Sequence, residues 1–599
     1  MKEIEKTEVL KGGEFLVKET SAKEVFIREE FGEEQMMMLK ATEEFSKIEI
    51  RPNIMRFEEK DYKLVESLMR KAGQLGLLSV SVPEKYQGLG MGFNTGMLIC
   101  EEISSLTGSM ATAFGAHTGI GTLPILLYGN EEQKNHYLPK ISSGEWMSCY
   151  NLTEPDAGSD ANSGKTKAVL TSDGEHYEIT GQKIWISNAG FAHVFIVFAR
   201  IEEDKNITAF VFEKDKVRGL TLNPEEAKLG IRSSSTRQVF YNNVKVPKSA
   251  MLGERGEGFK IAMNSLNVGR IKLGIAVTGA SKKVINYAVG YANERRQFKT
   301  PISSFGAIKF KLAEMATKTY VADAGNYRCG QNIEDNIKRL EFKGLALQDA
   351  KLQGVEEYAI ECAILKVFSS EVVQYTSDEA VQIYGGMGFS AESEIEACYR
   401  DARISRIYEG TNEINRLLIV KMVLKKAVSG EIDFFDAAKD VAKELMNIPS
   451  FEQPSKDIFN ECKVVLGNLK KIILMVAGTA SEKLGVKIGE EQELMMNISD
   501  MIIETYMLES ALLKTEKLTI KDGHDNHIER ISMCVNFLHS TVDKFLKNGK
   551  EAIYALAEGD EQKILLLGLK RYTKVKPVNL KEHRRLIAKK LIEENKYCF

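Results

Sequence analysis

The sequence predicts a mainly α-helical protein with a β-domain inserted between helical regions, and two changes of hydrophobic period carry that prediction. Over most of the chain apolar residues recur at three- and four-residue spacing, as in DYKLVESLMRKAGQLGLL from Asp61, the mark of amphipathic helices. Between residues 150 and 250 the period falls to two, in short runs rich in Val, Ile, Phe, Tyr and Thr, as half-buried strands require. The 599 residues exceed what one core holds, and ~150 residues per domain suggests about three or four domains.

Taken in order, residues 1–35 are charged and mixed and read as an N-terminal arm. Residues 36–149 read as a helical domain, in which the apolar stretch GMLICEEISSLTGSMATAFGAH follows the turn chemistry of SVPEKYQGLGMG. Residues 150–255 read as a small antiparallel β-domain built from HYEITGQKIWISNA, VFIVFAR, ITAFVFEKD and RQVFYNNVKVP, with Asn242-Asn243 as a tight turn. Residues 256–428 suit an antiparallel helical bundle. The irregular VSGEIDFFDAAKD marks a boundary, and 429–599 form an extra helical domain. LAEMATKTYVADA (312–324) lines up with ISDMIIETYMLES (498–510) through Met315/Met501, Thr319/Thr505 and Tyr320/Tyr506, with acids at Glu314/Asp500 and Asp323/Glu509. This leaves open either a repeated bundle or two independent amphipathic helices.

Composition narrows the function classes. Charged residues make up 28% and the formal net charge is −3, which argues against a nucleic-acid partner. The eight cysteines are scattered without a CxxC pair, as in a reducing compartment. The first residues carry acids and no apolar signal core, and no uninterrupted apolar run reaches ~20 residues. The expectation is a soluble cytoplasmic protein. His524 and His527, the one close histidine pair, read as a polar turn and not a metal site.

Five short segments could carry chemistry. YNLTEPDAGSD (150–160) is either an anion-accepting loop or a plain Asp/Gly/Ser turn. In GQKIWISNAG, Trp185 and Ser187 share a strand face by alternation and could receive a flat heterocycle, or Trp185 is simply core. In NERRQFKTP, Arg295 and Phe298 end a long helix three residues apart and could meet a phosphate and a ring; cations at a helix C-terminus also favour the dipole. QIYGGMGF has glycines that permit close backbone approach but is not a dinucleotide fingerprint after a strand. SRIYEGTNEINR places Glu409 and Gly410 at a break before a helical run, as a cap or as a base.

In this order and company, the segments resemble the acyl-CoA dehydrogenase family of flavoproteins, from about residue 35 to 425. The KGGEFL stretch and the long C-terminal extension are more similar to its very-long-chain subgroup. The resemblance implies FAD between the β-domain and the bundle. Tyr150, Leu152, Thr153, Gly158 and Ser159 would line the flavin and its phosphate side, with Trp185 flanking the ring system and Ser187 near its N5. Arg295, Gln297 and Phe298 match the segment that reaches the FAD of a neighbouring subunit, and Gln382, Gly385 and Gly386 match its adenosine-side loop. Thr411 and Glu413 match positions near the pyrophosphate. Asn267, Arg270, Tyr408 and Gly410 fall on the acyl-CoA side, and Glu409 on the catalytic base. Some members carry the base just before the arginine of the NVGR helix; here that residue is Gly269.

The implied activity is dehydrogenation of a fatty acyl-CoA to the trans-2-enoyl-CoA, with electrons passed to an electron-transferring flavoprotein. An acyl-CoA oxidase and a non-catalytic assembly protein are the alternatives. The extension further implies a homodimer, its second bundle lying where another subunit pair sits in tetrameric relatives. The basic helix LKEHRRLIAKKLIEE leaves a weak membrane-surface contact open.

Overall fold

The computed structural model describes residues 9–447 and 457–599; the first eight residues of the expected arm lie outside that range. Seven helices build the N-terminal region: α1 (Glu33–Phe45), α2 (Ile54–Glu58), α3 (Tyr62–Gln74), α4 (Phe93–Ile103), α5 (Gly108–Gly115), α6 (Leu123–Tyr128) and α7 (Glu131–Ser142). Asp61 caps α3 by accepting from the Leu64 N–H, and Asn130 caps α7 with Gln133 returning the bond.

The β-domain is one sheet of eight strands: β1 (Ser148–Asn151), β2 (Lys167–Leu170), β3 (His176–Ser187), β4 (Val194–Ile201), β5 (Thr208–Glu213), β6 (Leu220–Leu222), β7 (Thr236–Pro247) and β8 (Met251–Leu252). It is mixed rather than wholly antiparallel, because β4 pairs parallel with both β1 and β2. The expected turn at Asn242-Asn243 does not form. Both residues lie inside β7, and Asn243 takes a left-handed φ of 49° where the pairing with β3 slips beside Gly181. A bulge absorbs the irregularity that the Asn pair announced.

Six helices form the first bundle: α8 (Gly258–Glu294), α9 (Gly306–Phe342), α10 (Leu347–Glu357), α11 (Ala359–Tyr384), α12 (Glu394–Ile404) and α13 (Asn412–Val428). Six more follow among the described residues: α14 (Phe434–Leu445), α15 (Ile458–Leu484), α16 (Gln492–Asp522), α17 (Ile528–Leu556), α18 (Gly559–Tyr572) and α19 (Leu580–Glu594). One apolar core runs through the N-terminal helices and both bundles. Two segments, Gly108–Tyr128 and Ile458–Glu490, do have the length and apolar character of a membrane span, contrary to the reading from uninterrupted runs. Most of each is buried in the protein. The basic helix α19 likewise buries its apolar side through Ile587, Ala588 and Leu591.

The two bundles meet through α9 and α16, and the contact is reciprocal. Lys514 donates to Asp323 at 2.6 Å, and Arg328 donates to Glu509 at 2.8 Å. In the register that pairs Tyr320 with Tyr506, Asp323 corresponds to Glu509 and Arg328 to Lys514. Each cation also stacks over the other helix's tyrosine, Lys514 on Tyr320 at 5.1 Å and Arg328 on Tyr506 at 4.9 Å. A residue pair whose counterparts also pair with each other is the signature of a two-fold, so the repeat is real at this interface. The arm threads the same seam: Gly13 donates its N–H to Glu361, and Glu29 pairs with Lys514.

Candidate active site

The helix break at residues 405–411 sets the site. Glu409 and Gly410 both take left-handed conformations, φ 58° and 80°. Such a backbone costs a non-glycine residue about 1–2 kcal/mol, so neighbours must impose it. The Asn415 side-chain amide does so, donating to the carbonyls of Glu409, Gly410 and Thr411 at 3.3, 2.8 and 3.0 Å. Arg270 Nε donates to the Glu409 carbonyl at 3.4 Å, and its Nη1 donates to Asn267 Oδ1 at 2.7 Å. Thr411, and not Glu409, caps α13 by accepting from the Ile414 N–H. The capping explanation of Glu409 is therefore displaced by its neighbour two residues on.

With its carbonyl pinned, Glu409 keeps its N–H free of any described partner, and its Oε2 is buried without a hydrogen bond. Burial pushes the carboxyl up to about 7, against the restraint of Arg270 and Lys366. Gly269 on α8 lies directly behind this carboxylate; a Cβ there would fall 2.5 Å from Oε2.

The carboxylate opens on a cavity of about 980 Å³ between the β-domain and the first bundle. One wall is an apolar stripe on α8 that includes Gly269, Leu273, Ala276, Ala280 and Val284; from Gly269 to Val284 it runs ~22 Å at 1.5 Å per residue. The rest of the lining comes mainly from the β-domain, the N-terminal helices α4 and α5, and the α11 to α13 region. Tyr150, Leu152, Thr153, Gly158, Ser159, Trp185 and Ser187 all line the cavity, as do Arg270, Tyr408, Gly410 and Thr411.

Strand alternation is not what brings Trp185 and Ser187 together. The β3–β7 register slips between Lys183 and Ile186, and Trp185 sits at φ 60° with 55% of its surface exposed. The bulge turns its indole into the cavity, a common use of such irregularities beside active sites. Two residues missed in the sequence fix the adjoining loop. Lys183 is buried and donates to Glu154 Oε1 at 2.7 Å and to the Leu152 carbonyl at 3.0 Å. Burial lowers its pKa to about 8, with Glu154 opposing the shift.

Other expected contacts lie elsewhere in the chain. Asn267 is buried behind Arg270 and does not line the cavity, and Glu413 is exposed beyond it. Arg295 and Phe298 do not share a helix face, because α8 ends at Glu294. The chain turns instead through a short hairpin, Arg296–Gln297 against Thr300–Pro301, with Phe298 90% exposed at its tip. Gln382, Gly385 and Gly386 are exposed at the end of α11. A 4.0 Å stack of Tyr291 on Tyr384 holds that end beside the hairpin. None of Arg295, Gln297, Phe298, Gln382, Gly385 and Gly386 lines this chain's cavity.

The cavity fits a flavin dinucleotide. Tyr150 carries a buried hydroxyl without a partner, Trp185 offers an open aromatic face, and a Cβ at Gly158 would meet nothing within 4 Å. Thr153, Ser159, Ser187 and Thr411 add hydroxyls around the same space.

Comparison with known proteins decides the family. Models described as the N-terminal, middle and C-terminal domains of acyl-CoA dehydrogenase match residues 32–145, 149–244 and 256–424. The chain belongs to the acyl-CoA dehydrogenase family. A second model, also described as an acyl-CoA dehydrogenase C-terminal domain, matches residues 468–571. A probable acyl-CoA dehydrogenase of Bacillus subtilis is 42% identical over 592 residues, 98% of this chain and 99% of that one. The human very long-chain specific acyl-CoA dehydrogenase is 37% identical over 416 residues, 68% of this chain and 58% of its own length. A crystal structure of an acyl-CoA dehydrogenase complexed with FAD from Bacillus anthracis superposes with a TM-score of 0.94 at 42% identity, covering 98% of this chain and all of that one. The protein is thus an FAD-dependent oxidoreductase of this family, and the extra domain belongs to the family fold.

Proposed function

We propose that the protein dehydrogenates a long-chain fatty acyl-CoA to its trans-2-enoyl-CoA, as in fatty-acid β-oxidation, with Glu409 taking the α-proton. The Glu409 carboxylate carries this reading: a buried oxygen without a partner, on a strained loop, facing an apolar cavity. A thioester α-C–H is a very weak acid, so its removal needs a base that is ionised and a donor at the developing enolate oxygen. The free N–H of Glu409 is such a donor, worth roughly 3–4 kcal/mol when well aimed. Arg270 and Asn415 hold the Glu409 carbonyl away from that task. Bound FAD supplies the acceptor for the β-hydride. Tyr150, Trp185 and Ser187 would hold its ring system and Thr153, Ser159 and Thr411 its polar arm.

The apolar stripe along α8 excludes water and accommodates an extended acyl tail, which supports a long chain. Flavin bleaching under anaerobic conditions with a series of acyl-CoAs tests both points. Long acyl chains should bleach the wild type fastest, and Glu409→Gln should retain FAD without bleaching. Rapid bleaching in Glu409→Gln would remove Glu409 as the base.

The reading extends to an electron-transferring flavoprotein as the acceptor and to a cytoplasmic homodimer. The exposed hairpin at Phe298 and the Gly385–Gly386 loop would face the cofactor of the second copy. Stoichiometric peroxide in air would point instead to an oxidase, and a tetramer by light scattering would exclude the dimer.

A further inference from the structure

Lys366 on α11 is fully buried, yet its one hydrogen-bond partner among the described residues is neutral: Asn412 Oδ1, at 2.7 Å. An ammonium carries three donors, and a buried charge without compensation costs several kcal/mol. Compensation comes from carboxylates close by. Glu409, Glu413 and Glu371 favour the cation and Arg270 opposes it, while burial pushes its pKa down to about 7. Around Glu409 itself the charged groups are Arg270 from α8 and Lys366 from α11; Tyr150 from β1 and Tyr408 from the base's own loop complete the titratable set.

The ammonium is held in place by a chain of contacts. Asn412 donates to Ser370 Oγ and to Glu371 Oε1, both at 3.1 Å. Arg416 grips both oxygens of Glu371 at 2.9 and 3.1 Å, and its Nε donates to Asp500 of α16 at 2.7 Å. Asp500 belongs to the second bundle. The lysine, seated on Asn412 three residues past the base, is therefore anchored, through Asn412, Glu371 and Arg416, to a part of the chain remote from the cavity.

We propose that Lys366 is a positioning residue for the base: seated on Asn412, three residues past Glu409, it favours the ionised form of Glu409 in the ligand-free enzyme. Burial alone would leave Glu409 protonated at neutral pH and unable to accept the α-proton. A second cation beside Arg270 opposes that protonation without touching the substrate. The role rests on the reading of Glu409 as the base.

The test uses the FAD-loaded enzyme and two measurements against pH. One is the flavin bleaching rate with a saturated acyl-CoA. The other is ionisation of a bound 3-oxoacyl-CoA, whose acidic α-hydrogens leave without hydride transfer, read from its enolate absorbance. Lys366→Met should move the acid limb of both profiles up by about one pH unit with FAD content unchanged, and Lys366→Arg should restore it. If Lys366→Met does not fold, Asn412→Asp gives the same direction, because a new carboxylate neutralises the ammonium. A limb that stays at the wild-type pH in Lys366→Met, or in Asn412→Asp when that variant stands in for it, would overturn the proposal. Glu409→Gln separates the two ideas: bleaching or enolate formation there would overturn the base assignment itself.

Discussion

Gly269 backs directly onto the carboxylate of Glu409: a Cβ at position 269 would lie 2.5 Å from Oε2 and 2.9 Å from Oε1. No real side chain tolerates that approach, so the glycine and the base are one arrangement. A carboxylate reaching from position 269 would enter the same space, which explains physically why a family can place its base at either point.

Gly269→Ala should therefore disable the enzyme without unloading it. The added methyl must push the Glu409 side chain aside, and a displacement of ~1 Å at a reacting group costs on the order of 100-fold. Stopped-flow bleaching should fall by about that factor, with the flavin spectrum and FAD content unchanged. A variant within a factor of three of wild type would show that the carboxylate does not work from this position. Glu409→Gly combined with Gly269→Glu should recover part of the loss.

The acid limb of the wild-type profile should lie near pH 7. Glu409 must be ionised to take a proton, and burial raises its pKa to about 7, so the rate of flavin reduction under kcat/KM conditions rises with pH through that value. An unperturbed carboxylate would titrate near ~4.3 and leave the rate flat from pH 5.5 to 8. A flat profile there would show the base to be solvated.

The reciprocal seam between the bundles makes a paired stability prediction. Lys514→Met leaves Asp323 its ion pair with Lys282 and releases Glu29 as well, and Arg328→Met leaves Glu509 its ion pair with Lys470. Breaking one partner of a buried ion pair costs about 3–5 kcal/mol, and the surviving lysine places both near 3. Chemical denaturation should find the two costs within about 1 kcal/mol of each other. Widely different costs would make the symmetry one of position only.

Much of the site was legible because its chemistry sits at breaks in periodicity. Glu409, Gly410 and Thr411 interrupt two helical runs, and Tyr150 to Ser159 open the β-domain with turn residues. Lys366 was not legible. It lies in ECAILKVFSS, inside a helix buried on nearly every side, and a lone lysine there reads as a solvated spacer until the fold seats it on Asn412. Trp185 lines the cavity through a bulge, which cannot be read from alternation. The hairpin at Phe298 was hidden because helical spacing continued on paper past Glu294. The repeat was undecided because the aligned window stopped short of Arg328 and Lys514, the two cations whose exchange of partners reveals it.

Glu361 gives the clearest dependence of stability on pH. Its carboxyl is buried at the arm's docking point, accepting the Gly13 N–H at 2.7 Å while Oε2 has no partner. Burial pushes it up to about 7, although the Gly13 N–H and Lys426 oppose the shift. A carboxyl whose folded pKa exceeds its unfolded value binds its proton more tightly when folded. Its favourable term is thus complete below about 4.3 and is lost as pH rises to 7. The difference amounts to about 4 kcal/mol at most, since each pKa unit is worth ~1.4 kcal/mol. Glu361→Gln keeps an acceptor for Gly13 and cannot ionise. Its melting temperature should match wild type at pH 5 and exceed it at pH 8, with limited proteolysis of the arm slowed at pH 8. Parallel melting profiles from pH 5 to 8 would mean that Glu361 keeps its charge in the folded protein and that Lys426 compensates it.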